Sequence, residues 1–157
     1  MSLLKIGKLA PSFKLLNQDG VEVDLKSLRG ITVVLYFYPK AMTPGCTVQA
    51  CGIRDAKLKF SKLNTVVLGI SPDEPKKLLK FIDKEKLNFD LLSDPEHRVA
   101  ELYGVWGLKK FMGREYMGII RTTFIISPDG KLKSILDDFT TKTHHEEVIA
   151  SIKEGLL

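Results

Sequence analysis

The stretch from residue 31 to residue 63 constrains the fold more than any other part of this 157-residue chain. Ile31 to Tyr38 is an almost unbroken apolar run rich in β-branched residues, which is typical of a central strand covered on both faces. A turn rich in proline and glycine follows, and apolar residues then recur at helical spacing from about Thr47 to Leu63. The pattern predicts a buried strand, a tight turn and a helix in direct succession.

Shorter elements are predicted on either side of this unit. Asp19-Gly20, between the apolar runs of residues 13–16 and 21–25, indicates a β-hairpin near the N-terminus. The other predicted elements are a helical turn at 24–28, strands at 65–71, 89–92, 119–127 and 132–136, helices at 74–86, 95–103 and 144–154, and a long loop at 105–118. This order predicts an α/β, thioredoxin-like fold: a central mixed β-sheet flanked by helices, with an N-terminal β-hairpin extension. The length fits a single domain over residues 1–157.

Composition and charge restrict the partners and the compartment. The net charge is +5, but the basic residues are not interleaved with aromatic ones, so we expect no nucleic-acid binding. No apolar run approaches the roughly 18 residues that cross a membrane, and the N-terminus lacks the features of a secretion signal. We therefore expect a cytoplasmic protein without a membrane anchor, in which the two cysteines stay reduced and form no permanent disulfide.

Cys46 lies where the turn meets the predicted helix, after Thr43-Pro44-Gly45. Unpaired backbone N–H groups and the positive end of the helix dipole favour the thiolate at such a position. Thr43 can donate its hydroxyl to the thiolate or to a bound oxygen, and Pro39 and Pro44 stiffen the turn. The alternative is that Cys46 is only a small buried apolar residue.

Cys51 follows Cys46 by five residues. In an ideal helix this spacing separates the two Cα atoms by about 8–9 Å, whereas a disulfide rarely tolerates more than roughly 7 Å. If both cysteines lie on one helix, they cannot bond unless the helix unwinds locally. We therefore hypothesise that oxidation melts the first turns of the helix, with an inert Cys51 as the alternative.

Other reactive groups are scarce. The three histidines, His97, His144 and His145, are predicted on surface helices, which disfavours a Cys–His hydrolase, and no Cys/His cluster suggests zinc. The candidate cation is Arg121, at the start of an apolar strand, where a charge needs a partner such as a thiolate or carboxylate. The alternative is an arginine at a strand end that faces water. We expect no metal and no cofactor.

The residues Pro39, Thr43 and Cys46 match the Pro-x-x-x-Thr-x-x-Cys active-site motif of peroxiredoxins. With Cys51 five residues further on, the chain resembles the Q-type subfamily, the bacterioferritin comigratory proteins. The resemblance covers essentially the whole chain, and its further stretches are Gly7-x-x-Ala10-Pro11-x-Phe13, Gly69-Ile70-Ser71, Ser93-Asp94 and Gly118-Ile119-Ile120-Arg121-x-Thr123-Phe124.

The resemblance implies roles for five residues. Cys46 would be the peroxidatic cysteine, which attacks the terminal peroxide oxygen and becomes a sulfenic acid. Thr43 would hydrogen-bond the peroxide, Pro39 would shield the pocket, and Arg121 would stabilise the thiolate and polarise the substrate. Cys51 would be the resolving cysteine, which condenses with the sulfenate to an intramolecular disulfide.

The resemblance also implies partners. The substrates would be hydrogen peroxide and organic hydroperoxides, and the reductant would be a thioredoxin-type donor, with glutaredoxin as the alternative. The expected role is antioxidant defence by a monomer, with a weak dimer as the alternative. The aromatic and apolar residues of the 105–118 loop would flank the pocket or a dimer surface, or would have only a structural role.

Two other classes compete with a peroxidase. A thiol–disulfide oxidoreductase usually carries Cys-x-x-Cys and a proline before the strand that faces the site, and this chain has neither feature. A redox sensor or holdase, in which oxidation exposes a surface for a partner, would consume no peroxide catalytically.

Overall fold

The computed structural model describes residues 4–154, and over that range it contains a seven-stranded mixed sheet and a separate two-stranded sheet. The strands are β1 (Lys14–Asn17), β2 (Glu22–Asp24), β3 (Thr32–Phe37), β4 (Thr65–Ser71), β5 (Leu91–Ser93), β6 (Trp106–Phe111), β7 (Arg114–Ile119), β8 (Thr122–Ile126) and β9 (Leu132–Leu136). The helices are α1 (Pro44–Asp55), α2 (Lys57–Lys62), α3 (Pro75–Glu85), α4 (Arg98–Leu102) and α5 (His144–Glu154), with a 3₁₀ turn at Leu25–Leu28. None of the helices in this range is long and apolar enough to cross a membrane.

Strand β3 is the buried centre of the large sheet, whose order is β2-β1-β5-β4-β3-β8-β9. It pairs in parallel with β4 and antiparallel with β8. Even-numbered side chains from Val34 to Tyr38 pack with α1, α3 and α5, and odd-numbered ones from Val33 to Phe37 pack with α4 and the N-terminal segment. The apolar run is continuous because both faces of the strand are covered, as the sequence predicted.

Hairpins at both ends of the chain make the sheet mixed. Strands β1 and β2 form the predicted N-terminal hairpin, and β1 joins the large sheet by antiparallel pairing with β5. Strands β8 and β9 form the second hairpin next to β3. Because β3, β4 and β5 are parallel to one another, the prediction of an α/β fold with a mixed sheet is confirmed.

The prediction of a long loop over residues 105–118 is wrong. Strands β6 and β7 pair antiparallel over this range as a two-stranded sheet of their own. Met112 and Gly113 form the tip with φ values of 50° and 79°, as a two-residue type I′ turn requires. The usual Asn-Gly is replaced by Met-Gly, and neither face of the hairpin is fully buried, so both sequence indicators of a hairpin are weak here.

The predicted helix over residues 47–63 is in fact two helices, and the first begins earlier than predicted. Helix α1 starts at Pro44, whose fixed φ suits the first helical position. The break lies at Ala56, whose backbone leaves the helical region with φ −94° and ψ 10°. The carbonyl of Arg54 accepts a hydrogen bond from the Asn88 side chain, 3.1 Å away, at this break.

The histidines do not all lie on surface helices, contrary to the prediction. His144 is fully buried in the core, where Nε2 shares a 2.7 Å hydrogen bond with Thr123 Oγ1. Burial, followed by the nearby His145 and Arg121, lowers the pKa of His144 to about 3. His97 lies before α4 rather than within a helix, and its ring stacks on Trp106 with centroids 3.8 Å apart.

The stability of the fold should depend on protonation of His144 in the unfolded chain. The imidazole has a pKa of 6.5 when unperturbed and about 3 in the fold, so between these values the unfolded state binds more protons and stability falls as the pH falls. We expect His144→Gln to flatten the pH dependence of the unfolding free energy between pH 6.5 and about pH 4, by at most about 1.4 kcal/mol per pH unit. Urea titrations at several pH values measure both slopes, and equal slopes would contradict a buried neutral imidazole.

Candidate active site

The turn after β3 places Cys46 at the start of α1. Thr43 precedes the helix with extended backbone, φ −86° and ψ 156°, and the first intrahelical bond runs from Thr47 N to Thr43 O at 2.9 Å. The backbone N–H groups of Gly45 and Cys46 therefore have no partner within the helix. Cys46 is 1% exposed, so its sulfur lies beside the positive end of the helix dipole with little competing water.

Arg121 lies directly before β8 and reaches the sulfur of Cys46. Its Nη2 donates to Cys46 Sγ at 3.0 Å. The pairing of Phe37 with Thr122 sets this distance, because it aligns the end of β3 with the start of β8. Gly45 permits the approach, since a Cβ at that position would lie 3.2 Å from Nη2. The structure thus brings together two predicted residues that are 75 positions apart in sequence.

Gln49 accepts a hydrogen bond from the second terminal nitrogen of the guanidinium. This residue was not among those predicted from the sequence. Its Oε1 accepts from Arg121 Nη1 at 2.8 Å, and the side chain is fully buried. Among residues 4–154, no carboxylate lies within salt-bridge distance of Arg121. A neutral acceptor leaves the positive charge available to the sulfur. The available sequence indicator was a glutamine three residues after Cys46, on the same helix face as the thiol.

Thr43 and Pro39 lie on the same turn as Cys46. The Thr43 hydroxyl donates to the Lys40 carbonyl at 2.8 Å instead of capping α1. Met42 adopts a left-handed conformation with φ 65°, which bends the turn so that Thr43 and Pro39 face a common cleft. A bound oxygen that accepts from the Thr43 hydroxyl would have to displace the Lys40 carbonyl.

Asp73 fastens this turn to the end of β4 and was also missed from the sequence. Its Oδ2 accepts from the Ala41 backbone N–H at 2.7 Å and from Ser71 Oγ at 2.8 Å. Its Oδ1 lies 3.3 Å from the ammonium of Lys77. The carboxylate therefore ties the active-site turn to the neighbouring parallel strand, a contact between distant residues that no local pattern could indicate.

An open cleft of about 700 Å³ lies in front of this turn. Pro39, Thr43, Gly45 and Arg121 form its inner part. The β6–β7 hairpin supplies a mainly apolar wall that consists of Trp106, Phe111, Tyr116 and Met117, together with Lys109. Of the alternatives for the 105–118 segment, the structure supports the one in which its aromatic residues flank the pocket.

Cys51 lies on α1 with Cys46, so the premise of the unwinding hypothesis holds. Both thiols are free, with Cys46 buried and Cys51 half-buried. Burial, with a further contribution from Glu85, raises the pKa of Cys51. The ideal helical separation of about 8–9 Å keeps the cysteines apart while α1 is intact.

The arrangement is suited to nucleophilic chemistry at one sulfur. A buried cysteine in the first turn of a helix accepts from a guanidinium, and that guanidinium, together with Thr43 and Gly45, lines an open cleft. Within residues 4–154, no group of three or more His, Cys, Asp or Glu side chains is placed to hold a metal ion.

The chain is similar to known proteins along nearly its whole length. A model of the AhpC/TSA family matches residues 6–135. Peroxiredoxin Bcp of Escherichia coli K12 is 54% identical over 154 residues, which cover 98% of this chain and 99% of the relative. The crystal structure of peroxidoxin BcpB from Mycobacterium tuberculosis is 34% identical, with a TM-score of 0.85 and coverage of 97% of this chain and 98% of the other. Bacterioferritin comigratory protein of Xanthomonas campestris is 27% identical over the full length of both chains, with a TM-score of 0.89.

These similarities include the large sheet, its N-terminal hairpin and the helices around it, so the thioredoxin-like α/β fold expected from the sequence is confirmed. The resemblance to Q-type peroxiredoxins is confirmed as well. This chain belongs to the AhpC/TSA family, within which its relatives are peroxiredoxins of the Bcp type.

Proposed function

We propose that this protein is a thiol-dependent peroxidase in which Cys46 reduces peroxides and Cys51 closes a disulfide with it. The observation that carries the proposal is the 3.0 Å contact between Arg121 Nη2 and the Sγ atom of a cysteine at a helix N-terminus. The peroxiredoxin relatives support the same activity. The whole chain, residues 1–157, acts as one domain in this proposal, as a cytoplasmic monomer.

In the first step the Cys46 thiolate attacks the terminal oxygen of a hydroperoxide. An S–O bond forms and the O–O bond breaks, so sulfur is oxidised by two electrons to the sulfenic acid while the peroxide is reduced. The leaving oxygen takes a proton and departs as an alcohol, or as water when the substrate is hydrogen peroxide. Arg121 stabilises the thiolate and the charge that develops on the leaving oxygen, Thr43 donates to the peroxide, and Pro39 shields the pocket.

In the second step the Cys51 sulfur attacks the Cys46 sulfenic sulfur. The S–S bond forms, the S–O bond breaks, and hydroxide combines with the Cys51 proton to leave as water. Because both cysteines lie on α1, the helix must unwind locally before the sulfurs can meet. A dithiol reductant then restores both thiols by exchange and becomes a disulfide itself. We propose a thioredoxin-type donor, with glutaredoxin as the alternative.

The cleft supports organic hydroperoxides as substrates besides hydrogen peroxide. Its hairpin wall presents aromatic rings and a thioether close to Arg121, where an alkyl or aryl group would be removed from water. The Xanthomonas relative is described in terms of alkyl peroxide reduction activity, which agrees with this wall.

The two cysteine variants test the division of labour. We expect Cys46→Ser to abolish peroxide consumption, because no other thiol faces Arg121. We expect Cys51→Ser to retain the first, stoichiometric reaction but to lose most thioredoxin-driven turnover, because no resolving thiol remains on α1. Stopped-flow peroxide consumption and NADPH-coupled assays measure the two quantities. Unchanged steady-state turnover in Cys51→Ser would show that Cys51 takes no part in the cycle. If the unaltered protein exchanged disulfides with other proteins but did not turn over peroxide, a thiol–disulfide oxidoreductase would be favoured instead.

Arg121 can be tested through the rate at which Cys46 reacts with peroxide. We expect Arg121→Met to lower kcat/KM for peroxide about 10²-fold or more, since one preorganised cationic donor is lost. The kcat/KM of Arg121→Lys should lie between those of Arg121→Met and the unaltered protein, because lysine keeps the charge but not the forked guanidinium that also reaches Gln49. Arg114→Met, at an exposed position on β7, is the matched control. A kcat/KM of Arg121→Met equal to that of the control would count against the proposed role.

The apolar wall can be tested by the size of the substrate. We expect Phe111→Ser and Tyr116→Ser to lower kcat/KM for cumene hydroperoxide roughly fivefold, equivalent to about 1 kcal/mol of lost apolar contact, while hydrogen peroxide reacts as before. Leu108→Ser is the control, because Leu108 is exposed on the same hairpin but does not line the cleft. Parallel losses for both peroxides would indicate that the hairpin supports the fold rather than the substrate.

A further inference from the structure

The second half of α1 is fastened to the end of α3 by a set of hydrogen bonds that the peroxide reaction does not use. Arg54 Nη1 donates to the Glu85 carbonyl at 2.6 Å, and Asn88 Nδ2 donates to the Arg54 carbonyl at 3.1 Å. Lys57 Nζ donates to the Asn88 carbonyl at 2.9 Å, and Cys51 Sγ donates to Glu85 Oε1 at 3.8 Å. We call these five residues, 51, 54, 57, 85 and 88, the α1–α3 clasp.

The clasp satisfies the ends of both helices. The carbonyl of Glu85 is among the last four of α3, which have no partner within the helix, and Arg54 occupies it. The carbonyl of Arg54 has the same status at the end of α1, and Asn88 occupies it. Lys86 ends α3 in a left-handed conformation with φ 53°, so the chain turns between Glu85 and Asn88. The end of α3 is therefore completed by a residue of α1, and the end of α1 by a residue of the segment that follows α3.

The clasp also holds Cys51 in an unreactive state. Glu85 presents a carboxylate to the thiol and is itself fixed by Arg54 through its carbonyl. Partial burial, and then the nearby Glu85 carboxylate acting against Arg54, raises the pKa of Cys51. Only the thiolate is an efficient nucleophile, so partial burial and Glu85 disfavour the reactive form of Cys51, and the intact helix keeps it out of reach of Cys46.

We propose that the α1–α3 clasp is a timing device for the resolving step: Cys51 can attack the Cys46 sulfenic acid only after Arg54, Glu85 and Asn88 have separated. This proposal rests on the peroxidase function proposed above. It makes Arg54 and Asn88 positioning residues, since neither lies at the cleft in front of Cys46.

The rate at which the clasp opens decides between two fates of the sulfenic acid. In one fate, Cys51 displaces the Cys46 hydroxyl, which yields the disulfide and water. In the other, a second hydroperoxide transfers an oxygen to Cys46, which yields the sulfinic acid and an alcohol or water. A slowly opening clasp lengthens the life of the sulfenic acid and so favours the second fate at high peroxide concentration.

The test compares Arg54→Ala, Asn88→Ala and the double variant with the unaltered protein. We expect Cys51 of reduced Asn88→Ala to be alkylated by iodoacetamide about fivefold faster, because a hydrogen bond that holds the end of α1 is lost. Arg54→Ala should gain less, because Arg54 also lowers the pKa of Cys51 and its loss disfavours the thiolate. Disulfide formation after one peroxide equivalent should accelerate in parallel, and the sulfinic fraction per turnover at excess peroxide should fall. The rate of the first step, measured by stopped flow, should stay within about twofold, because Cys46 and its partners at the N-terminus of α1 are untouched.

Two controls separate the clasp from general loss of stability. Lys59→Ala removes an exposed cation from α2 for which the structure shows no hydrogen bond or ion pair. Val99→Ala removes buried volume from α4, which packs on the opposite face of the sheet from α1, and should destabilise the fold without opening the clasp. Neither control should change Cys51 alkylation or the sulfinic fraction.

The outcomes are distinct. Unchanged alkylation and an unchanged sulfinic fraction in the double variant would overturn the proposal, and slower disulfide formation would overturn it by showing that the clasp aligns Cys51 for attack. If the unaltered protein formed no disulfide with peroxide, the proposed function would fail, and the alkylation comparison would still decide whether the clasp shields Cys51.

Discussion

The contact between Arg121 and Cys46 is the interaction on which the site depends, because it brings a cation and a sulfur together in a nearly dry environment. The guanidinium can occupy this position only because β8 pairs with β3 and because glycine stands at residue 45. Gln49 completes the arrangement with a neutral acceptor, which orients the cation without cancelling its charge. A carboxylate in that place would bind Arg121 more strongly and compete with the thiolate.

Helix α1 serves two purposes that oppose each other. Its N-terminus creates the environment for Cys46, and its regular geometry holds Cys51 away from Cys46. The proposed reaction therefore needs the helix formed in one step and partly unwound in the next. The two ends of α1 are held by different partners: Arg121 at the first turn and the α3 end at the last. Because these contacts are separate, local opening near Cys51 does not require loss of the core beneath the sheet.

The β6–β7 hairpin, Gln49 and Asp73 illustrate what local patterns could not predict. The hairpin escaped prediction because its tip is Met-Gly and its strands bury neither face fully, so period-two alternation is weak. Gln49 and Asp73 accept hydrogen bonds from groups that only the fold brings near them. These are the guanidinium of Arg121, directly before β8, and the backbone N–H of Ala41. His144 appeared to be a surface histidine because helical spacing alone does not reveal that α5 turns this residue toward the core.

The sequence by itself determined the buried strand, the turn, the helix that carries both cysteines and the mixed sheet, and it indicated Cys46 as the candidate nucleophile. These follow from hydrophobic periodicity, from proline and glycine at a turn, and from motif residues that are close together in the chain. Only the tertiary structure decided how Arg121, the candidate cation, reaches the sulfur, which residues form the wall of the cleft and what contacts Cys51. Those contacts join residues about 30 to 75 positions apart, and their partners are selected by strand register and by the need to satisfy helix ends, neither of which is encoded within a local window.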